Sequence, residues 1–169
     1  RSLHTAKAVL QQNGLFNQTP LPFPSVFMNG GAAYLPSEVF CMKYTFSPHT
    51  LDALLDLSEA YSRAGFTFFT LGEVFLVNPN AFARHISKIH YLDAHEVNPN
   101  DVPEDVLKLM ILDQDRATLN QIKMQSEDLN IESAYSLPYA LEINPPGVNK
   151  ANTLIKLLKA LKLEDLHFF

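Results

Sequence analysis

The sequence predicts an α/β protein, and three observations carry that reading. Helix-like and strand-like stretches alternate along the 169 residues. Mid-chain strands come in hairpin-like pairs, as at 66–70 and 74–77 around Leu71-Gly72-Glu73, which predicts an antiparallel sheet there. The two ends carry strand–helix–strand order, which predicts parallel strands. A hydrophobic content of 47% suffices for one medium domain or two small ones.

The elements follow in order. Ser2 is a candidate N-cap, and Leu3, Ala6, Val9 and Leu10 form a helical stripe ending at Asn13-Gly14. A loop with Pro20, Pro22 and Pro24 leads to a strand at 25–28 and then Asn29-Gly30-Gly31. Residues 32–34 and 39–42 read as short strands around a turn at Pro36-Ser37. Ser47-Pro48 starts a helix: a capping hydroxyl, then proline where no backbone N–H is needed. Leu51, Leu54, Leu55, Ser58 and Tyr61 continue it at helical spacing until Gly65. After the strand pair, Pro79-Asn80 opens a helix to about residue 89, and the polar, Pro-bearing stretch 90–105 reads as loop. Strands are expected at 106–112, 131–136, 139–143 and 166–169, with helices at 116–129 and 150–161.

Composition excludes several functions. The net charge of −5 and the scattered basic residues leave no footprint for nucleic acid. No apolar run approaches a membrane span. Cys41 is alone, so no disulfide forms within the chain, and a reducing, cytoplasmic setting is the default. The chain opens on Arg1 rather than Met and closes on the apolar run 166–169 with no polar tail, so a portion of a longer protein is expected.

The most informative stretch is Leu141-Glu142-Ile143-Asn144-Pro145-Pro146-Gly147-Val148-Asn149-Lys150. It reads as strand, turn and a helix that begins at a lysine. A helix N-terminus carries about half a positive charge, so a cation there is mildly unfavourable. The same N-terminus offers free backbone N–H groups to an anion. A lysine directed with those groups at a phosphate reconciles the two, while a solvated surface lysine is the plainer alternative.

With Val26-Phe27-Met28-Asn29-Gly30-Gly31 and Arg1-Ser2, this stretch resembles Cof-type hydrolases of the haloacid dehalogenase (HAD) superfamily. The three segments look like that family's phosphate-contacting lysine segment, its "NGA" segment and the tail of its "TGR" segment. The resemblance implies a Rossmann-like core of parallel strands from residues 1–42 and 139–169, with an inserted α/β cap on an antiparallel sheet from residues 43–138. It implies a Mg²⁺-dependent phosphatase that acts on small phosphorylated metabolites such as sugar phosphates through an aspartyl-phosphate. Lys150 would be the catalytic residue, with Arg1, Asn29 and Gly30 at the phosphate and Gly31 allowing close backbone approach. The D-x-D nucleophile motif and the G-D-x-x-N-D metal segment are absent, so Mg²⁺ ligands are expected outside this chain. The chain alone is expected to be inactive. Among the polar residues of the 90–105 loop, Asp93, His95 and Glu96 are candidates for selecting the leaving group.

Two decoys and a rival stand beside that reading. Asp113-Gln114-Asp115 offers D-x-D after an apolar strand, but Arg116 stands where that motif has glycine, so an aspartate capping the next helix is the expectation. His85, His90 and His95 recur every five residues, whereas a helical metal pair needs i, i+4. The rival is a non-enzymatic α/β module that binds a ligand or protein and shares only the strand–turn–lysine pattern.

Overall fold

The computed structural model describes residues 3–14, 23–36, 39–90 and 93–163. Its elements, in chain order, are α1 (Leu3–Gln12), β1 (Ser25–Phe27), β2 (Ala32–Leu35), β3 (Val39–Lys43), α2 (Pro48–Ala60), β4 (Gly65–Phe69), β5 (Val74–Val77) and α3 (Ala81–Ile89). They continue with β6 (Ala94–Glu96), β7 (Lys108–Leu112), α4 (Arg116–Gln125), β8 (Glu132–Leu137), β9 (Ala140–Asn144) and α5 (Lys150–Ala160). The starts of α2 and α3 follow from local chemistry. The Ser47 hydroxyl accepts from the Thr50 N–H, and the Asn80 carboxamide accepts from the Ala83 N–H at 2.7 Å.

Strands β1, β2 and β3 form a small antiparallel sheet, and the other six form a larger one in the order β6-β5-β4-β7-β9-β8. Every pairing in the larger sheet is antiparallel except β5–β6, which α3 joins as a crossover. One face of that sheet buries Phe66, Phe68, Leu109, Ile111, Leu141 and Ile143 against Leu51 and Leu54 of α2 and Leu119 and Ile122 of α4. Each fully buried Leu, Ile or Phe here contributes about 1.5–3 kcal/mol. On the other face, Leu76, Leu112 and Ala140 lie under Ala83 and Ile86 of α3. A third cluster of Phe27, Met28 and Tyr34 with Phe69, Val74 and Leu107 joins the small sheet to the large one.

Three expectations need adjustment. Residues 90–105 are not all loop, since β6 and a 3₁₀ turn at Pro99–Asp101 lie within them. The strand is short and polar because it closes the sheet's edge, where it pairs with β5 on one side only. The Arg84 guanidinium clasps the Glu96 carboxylate from α3 at 2.6 and 2.9 Å. Second, β9 belongs to the large sheet, between β7 and β8, although residues 139–169 were expected to part from 43–138. Both faces of β9 are covered by that sheet's own clusters. Strands β1–β3 pair antiparallel among themselves. The parallel pairing expected between the two ends involves 166–169, which lies outside the described residues.

Third, helix α4 stops four residues earlier than expected. The Ser126 N–H and hydroxyl take the carbonyls of Ile122 and Lys123 and close it.

Candidate active site

Two segments more than 100 residues apart meet beside the large sheet. The first is the turn after β1. Met28 and Asn29 both take left-handed backbone angles, with φ of 50° and 56°, and Gly30 follows at 108°. For Met28 that region costs about 1–2 kcal/mol, whereas asparagine tolerates it, so the surroundings must hold Met28 in place.

The second segment is the chain from β9 into α5. After Pro145-Pro146, Gly147 turns with φ of 67°. Asn149 then caps α5, its carboxamide oxygen accepting from the Asn152 N–H at 2.9 Å. The Lys150 and Ala151 amides, at the positive end of the helix, have no partner among the described residues. Lys150 is the first residue of α5 and is exposed.

The contacts between the segments are close. A Cβ on Gly30 would sit 2.5 Å from the carbonyl carbon and oxygen of Asn149, so only glycine fits against the start of α5. The Thr153 hydroxyl, buried one turn into α5, donates to the Gly30 carbonyl at 2.8 Å. The buried Asn144 carboxamide donates to the Met28 carbonyl and accepts from the Asn29 carboxamide, both at 3.1 Å.

The structure therefore brings Asn29 and Gly30 to the base of the helix that Lys150 begins. Arg1 lies outside the described residues. Asn144, Asn149 and Thr153 were not anticipated. The available signal was a threonine at i+3 from Lys150 on the face α5 buries, where an aliphatic residue is usual. Asp93, His95 and Glu96 lie on or beside β6, whose place in the sheet is four strands from β9, about 19 Å away at ordinary strand spacing. There Glu96 pairs with Arg84, and the His95 ring lies 5.9 Å from that of Phe75.

A polar pair continues the row on the sheet. Glu142 and Asn144, two apart on β9, project from one face. The Lys108 ammonium lies 2.8 Å from the Glu142 carboxylate, and both side chains are largely buried. Burial pushes the Glu142 carboxyl up, but the Lys108 charge and hydrogen bonds with Lys108 and Ser136 outweigh it and hold the group below its ordinary value. A depressed carboxyl stabilises the fold above its unfolded pKa and loses that contribution as pH falls through the folded value. Glu142→Gln is therefore expected to cost roughly 1–3 kcal/mol near neutral pH, between the exposed and buried limits for ion pairs. Urea unfolding across pH should show the difference from the parent chain shrinking below about pH 4.

The D-x-D decoy resolves as a cap. Asp115 accepts from the Ala117 N–H at 2.9 Å and the Thr118 hydroxyl at 2.9 Å, and Asp113 accepts from the Asp115 N–H. The Ala117 N–H, with the Thr118 hydroxyl, holds the Asp115 carboxyl below its ordinary range, as a helix cap requires.

The sequence matches the haloacid dehalogenase-like hydrolase family over residues 1–167, and the chain belongs to that family. The fold is its core-plus-cap architecture. A haloacid dehalogenase-like hydrolase from Bacteroides thetaiotaomicron superposes with a TM-score of 0.79 at 16% identity, covering 96% of this chain and 62% of the other. A Thermotoga maritima protein superposes with a TM-score of 0.77 at 21% identity, covering 96% and 60%. A structure described as a HAD subclass IIB sugar phosphatase gives 0.73 at 12% identity, covering 92% and 56%. The chain thus spans under two thirds of the length of these structures. No curated protein has a matching sequence. No helix among the described residues is long and apolar enough to cross a membrane.

Proposed function

We propose that the protein carrying this chain is a Cof-type phosphatase that hydrolyses small phosphorylated metabolites, sugar phosphates foremost. One observation supports this above the others: the left-handed Asn29-Gly30 turn abuts the α5 N-terminus, where Lys150 and two unpartnered amides stand together. A cation, a helix N-terminus and a close backbone turn form a site for a dianionic phosphoryl group. Family membership supports the same reading, as does the sugar phosphatase among the structures of similar fold.

In this reading Lys150 and the α5 amides hold phosphate oxygens, and the Asn29 carboxamide donates to the same group. The division proposed is a core carrying Asn29, Gly30 and Lys150 and a cap built on the large sheet, which excludes water and selects the leaving group. Magnesium is the expected cofactor, but the residues assigned to this site do not fit it. An ammonium, amide N–H groups and a carboxamide suit an anion, whereas Mg²⁺ takes carboxylate oxygens. Its ligands and the attacking aspartate are assigned to the parent protein outside this chain.

The test is phosphatase activity of the full-length protein with Mg²⁺ against a panel of sugar phosphates and a generic aryl phosphate. Turnover is expected from the full-length protein and none from the 169-residue chain alone. A full-length protein that turns over no phosphate ester would contradict the proposal. Asp115→Asn in the full-length protein should leave turnover unchanged, because that carboxylate is occupied at the start of α4; a collapse in turnover would reinstate it as the nucleophile.

A further inference from the structure

We infer that Asn144 is a positioning residue that sets the orientation of the Asn29 carboxamide and ties it to the six-stranded sheet. The inference rests on the assignment of Asn29 to the phosphate site. Asn144 is the last residue of β9 and is 2% exposed. Its hydrogen bonds on this side both go to the Met28-Asn29 turn.

The order of those bonds fixes their polarity. The Met28 carbonyl can only accept, so it takes the Nδ2 of Asn144. The Asn144 Oδ1 is then left to accept, so Asn29 presents its own Nδ2. Asn29 keeps its second N–H as a donor toward a phosphate oxygen and its Oδ1 as an acceptor. A reversed Asn29 would set two carboxamide oxygens against each other. The same two bonds brace Met28 in a left-handed angle that it rarely adopts, beside Asn29 in one that asparagine tolerates. Strand β9 is hydrogen-bonded on both sides, to β7 and to β8. The amide that aims Asn29 is therefore carried by the sheet assigned to the cap, and displacement of that sheet would change the donor geometry at the site.

A kinetic double-mutant cycle in the full-length protein tests this, with Asn144→Leu and Asn29→Ala singly and combined, a generic aryl phosphate as substrate and thermal unfolding recorded for each. A residue acting through Asn29 gives a strongly non-additive cycle: Asn144→Leu should lower kcat/KM by about tenfold or more in the parent background and by less than about twofold beside Asn29→Ala. Asn144→Asp keeps an acceptor for Asn29 but cannot donate to Met28 and should give an intermediate loss, which keeps the test open should the leucine variant not fold. If Asn29→Ala impairs catalysis while Asn144 variants retain parental activity, or if the losses add, the positioning role is overturned and the phosphate site stands. If Asn29→Ala leaves kcat/KM unchanged, the assignment of Asn29 falls and the role of Asn144 falls with it.

Discussion

Replacing Gly30 with alanine is expected to destabilise this chain by about 3–5 kcal/mol, combining an unfavourable backbone angle with overpacking against main chain. At φ of 108°, Gly30 occupies backbone space that other residues rarely enter. The added Cβ would meet the Asn149 carbonyl at 2.5 Å, and neither partner is the free end of a side chain that could swing away. Relief requires α5 to part from the turn, breaking the bond from the Thr153 hydroxyl to the Gly30 carbonyl. For a chain of this size the unfolding temperature should fall by about 10 °C. Calorimetry on the purified chain reads this directly. An unchanged midpoint would mean that the two segments do not touch as described. Gly31, at φ of −61°, serves as the control at a neighbouring position, where the same substitution meets its neighbours at 3.1–3.2 Å and should cost less.

Lys150→Ala in the full-length protein is expected to lower turnover by about 10²–10³, the range seen when a single group stabilising transition-state charge is removed. Its effect on stability should have the opposite sign. A lysine in the first turn opposes the helix dipole, so its removal should leave stability unchanged or raise it by a few tenths of a kcal/mol. Lys150 is exposed and lines no core cluster, so no packing is lost. A residue whose loss removes activity while easing the fold is retained for chemistry rather than structure. Initial rates and thermal unfolding of one variant separate the two effects. Parental turnover would remove the role assigned to Lys150.

Much of the fold was legible because its signals are local. Ser47 and Asn80 announce helix starts through bonds to N–H groups three residues on. The lysine at the start of α5 stood out for a similar reason, since its sign is wrong for a helix N-terminus unless an anion is served. What was missed depends on partners distant in sequence. The sheet to which Leu141 and Ile143 belong is decided by what covers them, and an apolar run fits either neighbour. Strand β6 has almost no pattern of its own, because an edge strand with exposed His95 and Glu96 is sustained by backbone pairing to β5. Asn144 before Pro145 reads in sequence as the opening of a turn. Only its placement beside Met28 and Asn29 gives it a second part to play.

The central claim is that the Asn29-Gly30 turn and the start of α5 together hold a phosphoryl group. Amide chemical-shift mapping of the full-length protein with Mg²⁺, titrated with inorganic phosphate, tests it most directly. The account predicts saturable shifts concentrated at Asn29, Gly30, Lys150 and Ala151, and their loss in Lys150→Ala. Saturable shifts clustered elsewhere, or none at these four positions, would contradict it.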